Sequence, residues 1–270
     1  MAVDDLSLAG KVALVTGSGR ESGIGAGIAK ALARNGASVA IHYVSMSSKA
    51  SAEKVARDIA QETGSKTTVV WGALGKPETA KRIVQELLTA FDADHIDILV
   101  NNAAVVSRVP LLEVEEEHLL DEYTTNVFGP IYLTQAVVGV GRMPPGGRII
   151  NIGSIASQMG MSFGATYSAS KAAQDSLTMS WASVLGHSHG ITVNTIAPGH
   201  VLTDLTKGVL AGDNRPTAHK DESIFAQTRA APRIGTTEDI ADVVLLVASE
   251  KSRWLTAQWI SASGGLTGVM

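Results

Sequence analysis

Short apolar runs alternate with longer stretches of helical spacing along almost the whole chain, and this alternation constrains the fold more than any other feature. Val12–Thr16, Ser38–Tyr43, Thr67–Trp71, Ile96–Val100, Arg148–Ile152 and Ile191–Ile196 read as strands, with a last short one over Gln258–Ser261. Helical spacing fills Ile24–Asn35, Ala50–Thr63, Pro77–Ala90, Tyr167–Leu185 and Thr237–Ala248, and one or two helices fit Val114–Thr134. Gly36 and Gly64 follow the first two helices as stops, Pro77 suits a first helical turn, and Thr236 or Thr237 caps the last helix. Strands that are almost continuously apolar are buried on both faces. Each is followed by a helix, so the pattern predicts a parallel sheet covered on both sides. The right-handed crossover rule makes it a doubly wound α/β sheet, and the runs above give it about seven strands. Such a sheet binds its ligand where the strands end, and the motifs below sit at those ends.

No linker or charge run divides the 270 residues, so a single domain over 1–270 is expected. With 45% hydrophobic and 18% charged residues the chain can bury a core and is not disordered. A net charge of −4 without a basic stripe speaks against a nucleic-acid or anionic-membrane partner. There are no cysteines, which excludes disulfides, thiolate catalysis and Cys-ligated metals. The seven histidines (His42, His95, His118, His187, His189, His200 and His219) are scattered and predict no metal site. The first residues carry Asp4 and Asp5 and no apolar signal core, and no run of 18 apolar residues exists. A cytoplasmic protein is expected.

Gly17, Gly19, Gly23, Gly25 and Gly27 follow the first strand and open the first helix, with Arg20 and Ile24 among them. Glycines there allow a tight turn and close backbone approach to a pyrophosphate. The helix start adds free N–H groups and the positive end of its dipole. Strand, loop and helix in that order point to a dinucleotide; a turn that serves only helix–sheet packing is the plainer alternative. Folds that prefer a 2′-hydroxyl place an acid at the end of the second strand. Here Tyr43 stands at that end, followed by Ser45, Ser47 and Ser48. The serines can donate to a phosphate and Arg20 can pair with it, which points to NADP(H) rather than NAD(H). The competing picture is a solvated arginine and serines that cap the next helix.

Tyr167 and Lys171 are spaced i, i+4 on a helix, and Ser154 closes the preceding strand end in the run NIGS. That spacing puts phenol and ammonium on one helical face. A free phenol near pKa 10 is a poor acid–base group at neutral pH, and a nearby ammonium lowers its pKa. The phenol can then protonate a carbonyl oxygen or take a proton from an alcohol. Alone, the pair also fits a packed tyrosine beside a surface lysine.

With the glycine loop and Ser154 added, the chain resembles the short-chain dehydrogenase/reductase family over essentially its whole length. The matching stretches are TGSGRESGIG, NNAA, the N-x-x-G of Asn126 to Gly129, NIGS, YSASK and APGHVLT. The resemblance implies a Rossmann-type fold and a tetrad of Asn126, Ser154, Tyr167 and Lys171. In it Tyr167 is the general acid/base, Lys171 lowers its pKa and holds the nicotinamide ribose, Ser154 orients the carbonyl, and Asn126 holds a relay water. The resemblance also implies that Asn101 and Ala103 line the adenosine. Pro198, Gly199, Val201 and Thr203 then flank the nicotinamide, and 204–230 forms a substrate lid. A homotetramer is implied too, with Leu177, Met179, Trp181 and Val184 of the long helix and Trp254 and Trp259 near the carboxyl end as contact residues.

The chain departs from the family in three places. The glycine loop is two residues longer than T-G-x3-G-x-G, and its Glu21 sits close enough in sequence to repel a 2′-phosphate. NNAA replaces NNAG. Ala73 takes the place of an Asp that pairs with the adenine, leaving Leu74 as partial support. Val105, Met159, Met161, Phe163, Val201, Leu205 and Leu210 suggest a partly apolar pocket for a small carbonyl or alcohol substrate. The general look is that of ketoreductases acting on 3-oxoacyl thioesters or naphthol carbonyls. A non-redox reaction on the same fold, or an NADP(H)-sensing protein, remains the alternative.

Overall fold

The structure is a computed structural model that describes residues 6–107, 109–159, 164–203 and 227–267. Most of the expected lid over 204–230 lies outside these residues, as do Met161, Phe163, Leu205 and Leu210. Its strands are β1 (Val12–Val15), β2 (Ser38–Tyr43), β3 (Thr67–Trp71), β4 (Ile98–Asn101), β5 (Arg148–Ile152), β6 (Thr192–Pro198) and β7 (Trp259–Ala262). Its helices are α1 (Ile24–Arg34), α2 (Lys49–Thr63), α3 (Pro77–Phe91), α4 (Glu116–Tyr123), α5 (Gly129–Gly139), α6 (Ala165–His189) and α7 (Thr237–Ala248).

All pairings are parallel and give one seven-stranded sheet in the order β3-β2-β1-β4-β5-β6-β7. The order reverses between β1 and β4. That switch point opens a crevice at the carboxyl ends of the strands.

The period of two along each strand divides the core into two layers. Ala13 and Val15 of β1, Val39 and Ile41 of β2, and Ile98 and Val100 of β4 pack with α1, α2 and α7. Leu14, Ala40 and Leu99 face the other way, against α3, α5 and α6. Leu14, Ile41 and Leu99 have no exposed surface; burying such a side chain stabilises the fold by about 1.5–3 kcal/mol.

Helix ends follow local chemistry. Gly64 (φ +72) and Gly190 (φ +68) end α2 and α6 in the left-handed conformation. Because the stop is Gly190, α6 runs past the expected Leu185 to His189. Thr236 and Asp239 form a reciprocal capping box at the start of α7. The region expected to hold one or two helices contains α4 and α5, joined by a π-turn over Thr124–Phe128. β4 starts at Ile98 rather than Ile96, whose N–H is bonded to the carbonyl of Gly141 outside the sheet.

Candidate active site

Gly17 leaves β1 with φ +62, and a Cβ there would lie 2.9 Å from Cα of Ala103. A Cβ at Gly25 would lie 2.5 Å from Nδ2 of Asn102 and 2.8 Å from the Gly17 carbonyl oxygen. Side chains at these positions would fill the crevice. Helix α1 starts after Gly23 with no side-chain cap and no acid in its first turn, so its N–H groups stay available to an anion. This glycine cradle and open helix end fit a dinucleotide pyrophosphate.

The two extra loop residues are folded over a turn in which the N–H of Gly23 donates to the carbonyl of Arg20 at 3.0 Å. Arg20 is exposed. Glu21 pairs with Lys54 on α2 at 2.9 Å, and Lys54 also pairs with Asp58 at 2.8 Å. The expected repulsion of a phosphate by Glu21 is thereby countered by a neighbouring cation. The hydroxyl of Ser51 donates to the Gly19 carbonyl at 2.7 Å and ties the loop to α2. Beyond β2, Ser45 lies within hydrogen-bond distance of Ser47 (2.8 Å) and Ser48 (3.1 Å). Tyr43 is buried in the core, its Cβ 3.2 Å from where a Gly19 Cβ would be. The structure therefore sets the Arg20 loop beside the serine cluster.

On the far side of β2, Ala73 is exposed and Leu74 is buried. Asn101 is buried at the end of β4, where its amide donates to Oδ1 of Asn151 at 2.9 Å. Ala103 is buried against Gly17, and its N–H donates to Oγ1 of Thr16 at 2.9 Å.

Ser154 follows β5, its Oγ accepting from the N–H of Ala156 at 3.1 Å, and lies close enough to the phenol of Tyr167 to favour the charged form of that group. Lys171 is fully buried one turn further along α6. Its ammonium donates to the Ile152 carbonyl at 2.7 Å and to Oε1 of Gln174 at 3.2 Å, and lies 5.9 Å from the Tyr167 ring centroid. Asn126 sits in the π-turn. Its Oδ1 accepts from the N–H of Val105 at 2.9 Å, and its Nδ2 donates to the Val105 carbonyl at 2.8 Å and to Oγ of Ser170 at 3.0 Å. Its amide thus clamps the loop after β4 to α6.

The expected lowering of the Tyr167 pKa by Lys171 is not what the structure shows. Burial pushes the phenol up to about 12, the Ser154 hydrogen bond pulls it down, and the charge of Glu122 raises it further. Burial likewise lowers Lys171 to about 8, with the negative charge of Asp175 acting against it. Desolvation disfavours both charged forms.

Past β6, Pro198 closes the strand and the N–H of Gly199 donates to the Ala262 carbonyl at 3.2 Å. Val201 is buried in the layer of α1 and α7 and bridges Gly235, and Thr203 is buried beside it in sequence.

A family model described as Enoyl-(Acyl carrier protein) reductase matches residues 17–267. The chain belongs to the short-chain dehydrogenase/reductase family. It is 40% identical over 263 residues to the short-chain dehydrogenase/reductase FrzI of a Cladobotryum species, covering 97% of this chain and 98% of the relative. A blue fluorescent protein from a metagenomic library, crystallised with NADPH, is 33% identical with a TM-score of 0.85, over 97% of this chain and all of that one (100%). The reductase LugOII, which catalyses keto-reduction at C1 during lugdunomycin biosynthesis, is 36% identical with a TM-score of 0.83, over 96% of this chain and 98% of that one. The chain is thus an oxidoreductase of this family.

In this short-chain dehydrogenase/reductase, several site residues escaped the motifs. Asn102, not Asn101, reaches the glycine loop, its Nδ2 donating to the Thr16 carbonyl at 2.8 Å. Either Asn of NNAA satisfied the sequence pattern. Glu122 is fully buried near Tyr167, with Oε1 accepting from the N–H of Ser107. A carboxylate on a helix otherwise rich in surface acids gives no signal. His42 is fully buried under the glycine loop, its Nδ1 3.1 Å from the Gly17 nitrogen. A polar residue inside an apolar strand was the available clue.

Proposed function

We propose that the chain is an NADP(H)-dependent reductase that converts a ketone to a secondary alcohol, or runs the reverse reaction. The observation that carries this reading is Tyr167 beside a buried Lys171, whose ammonium is bonded to Ile152 at the carboxyl end of the strand that leads to Ser154. The NADPH found with the metagenomic blue fluorescent protein and the keto-reduction by LugOII support it. In this reading Gly17, Gly19, Gly23, Ile24 and Gly25 hold the pyrophosphate. Arg20 and Ser45 receive the 2′-phosphate beside Tyr43. Ala73, Leu74, Asn101 and Ala103 border the adenosine, and Pro198, Gly199, Val201 and Thr203 border the nicotinamide.

When bound between these residues, the cofactor would supply the hydride that a carbonyl carbon needs. Tyr167 gives its phenolic proton to the carbonyl oxygen, and solvent later restores that proton. Ser154 orients the same oxygen by hydrogen bonding. A phenol held near 12 carries its proton at neutral pH, and giving that proton up requires positive charge beside the phenolate. Lys171 supplies positive charge beneath the phenolate as it forms.

Incubation with NADPH deuterated at the transferable C4 position and a panel of aryl and 3-oxoacyl ketones tests this reading. Deuterium at the carbinol carbon, lost in Tyr167→Phe, is the expected result. Alcohol formation that persists in Tyr167→Phe defeats the Tyr167 role.

We also propose a cytoplasmic homotetramer. No described helix is long and apolar enough to cross a membrane. Met179 and Val184 on α6, Leu120 on α4 and Trp254 near β7 are exposed apolar side chains suited to contacts between subunits. Light scattering at micromolar concentration should return four chain masses; a monomer would overturn the assembly.

A further inference from the structure

His42 lies in the middle of the nucleotide-binding half and takes part in no chemistry described above. It is fully buried near the end of β2. Its Nδ1 lies 3.1 Å from the main-chain nitrogen of Gly17, and its Nε2 lies 2.9 Å from the carbonyl oxygen of Gly72. Gly17 opens the glycine loop; Gly72 opens the turn that leads from β3 to Ala73 and Leu74. One imidazole therefore joins the two loops that flank the adenosine end of the crevice.

The partners fix the tautomer. Gly17 offers only an N–H, so Nδ1 must accept; Gly72 offers only a carbonyl, so Nε2 must carry the proton and donate it. The main chain of the same residue is held as well. The N–H of His42 donates to Oγ of Ser18 at 3.0 Å, and Ser18 N–H donates to the His42 carbonyl at 3.1 Å. The ring cannot follow the loop without breaking these bonds. Gly17 is thus pinned at φ +62, the conformation that turns the loop toward α1.

We propose that neutral His42 is a positioning residue for the dinucleotide, a strut that sets the glycine loop against the turn after β3 and lets go when the ring is protonated. The proposal rests on the cofactor reading above. A proton added at Nδ1 would face the Gly17 N–H donor to donor. No carboxylate among the described residues hydrogen-bonds the ring to stabilise the added charge. On the ring's side of the sheet, α3 presents Arg82, which donates to the Trp71 carbonyl at 2.8 Å and pairs with Glu86 at 2.8 Å. Across the loop, α2 presents Lys54, shared between Glu21 and Asp58. Neither cation offers the ring a charge that would favour protonation. Burial pushes His42 down to about 4, in keeping with a ring that stays neutral through the working range.

The test compares wild type with His42→Gln and His42→Leu by calorimetric titration with NADP+ from pH 7 to pH 4. The oxidised form is used because reduced nicotinamide breaks down in acid. Glutamine offers one acceptor and one donor but does not titrate. The expected result at pH 7 is wild-type affinity within about threefold for His42→Gln and a loss of about tenfold or more for His42→Leu. Toward pH 4, where about half of the rings carry the added proton, wild type should lose about twofold more affinity than His42→Gln, since the 2′-phosphate titrates equally in both. If wild type unfolds first, His42→Gln should unfold at a lower pH than wild type, and NADP+ should lower the wild-type midpoint. Parallel affinity profiles or equal acid midpoints for wild type and His42→Gln overturn the strut. So does a folded His42→Leu of undiminished affinity, or a folded His42→Gln that no longer binds. If His42→Leu does not fold, the glutamine comparison decides. Absence of NADP+ and NADPH binding to wild type at pH 7 would instead defeat the cofactor reading itself.

Discussion

The ammonium of Lys171 donates to the carbonyl oxygen of Ile152 at 2.7 Å, so the charge beneath Tyr167 is anchored to the strand that carries Ser154. One side chain from α6 therefore fixes the spacing between the helix and the end of β5. The same contact explains why a lysine can be fully buried: its protons meet Ile152 and Gln174 rather than hydrocarbon.

That burial has a signature in alkali. Lys171 holds its proton in the unfolded chain up to about 10.5 but in the folded chain only up to about 8. Between those values the unfolded state binds more protons, so stability rises with pH. Each pH unit is worth about 1.4 kcal/mol, giving a gain of order 3 kcal/mol across the window. Chemical denaturation of the cofactor-free protein at pH 8 and pH 10 should show this rise, and Lys171→Met should lack it. The same slope in both proteins would place the effect elsewhere.

Tyr167 acts in the opposite sense. Its folded pKa of about 12 exceeds the ordinary 10, so the folded state keeps a proton that the unfolded state loses. Its contribution to stability is complete below about pH 10 and declines toward 12. In catalysis, Tyr167→Phe should lower kcat for ketone reduction by roughly 10²–10⁴ while leaving NADPH affinity near the wild-type value. Parallel loss of affinity and kcat would show that the phenol serves binding rather than proton transfer.

Glu122 raises Tyr167 through its charge. Glu122→Gln keeps the acceptor for the Ser107 N–H and removes the charge. The tyrosinate absorbance of the folded protein, compared with Tyr167→Phe to isolate one phenol, should appear at lower pH in the variant. The alkaline rise in alcohol oxidation should move the same way. An unchanged tyrosinate titration would contradict the electrostatic link.

The strand–helix order was legible because burial on both sheet faces demands continuous apolar runs, as in Ile149–Ile152, broken only by Asn151. That Tyr167 and Lys171 share one helical face was legible because their i, i+4 spacing survives any detail of packing; Asn126 and Ser154 joined them only through the family resemblance. What sequence could not show was the balance of forces between them. Attraction between phenolate and ammonium depends on their spacing, while desolvation depends on all that covers them, and Glu122 comes from a separate helix. The buried chain from Asn101 through Asn151 to Thr178 and Thr195 was equally hidden, since each residue alone reads as an ordinary polar side chain. The role of His42 required knowing that Gly17 and Gly72 meet across β2.

Asn126 offers a test of how the loop after β4 is held. Asn126→Ala removes the acceptor for the Val105 N–H and the donors to Val105 and Ser170. A loss of about 1–3 kcal/mol in stability is expected, with most of the kcat lost as well. Full stability in the variant would show that the clamp is dispensable.

We propose an NADP(H) site at the switch point, with Arg20 and the serines after Tyr43 reading the 2′-phosphate. Nicotinamide fluorescence, titrated with NADPH and with NADH on wild type and on Arg20→Ala, tests it most directly. NADPH should bind wild type about tenfold or more tightly than NADH, and Arg20→Ala should erode this preference without weakening NADH. Equal affinities, or tighter binding of NADH, would contradict it.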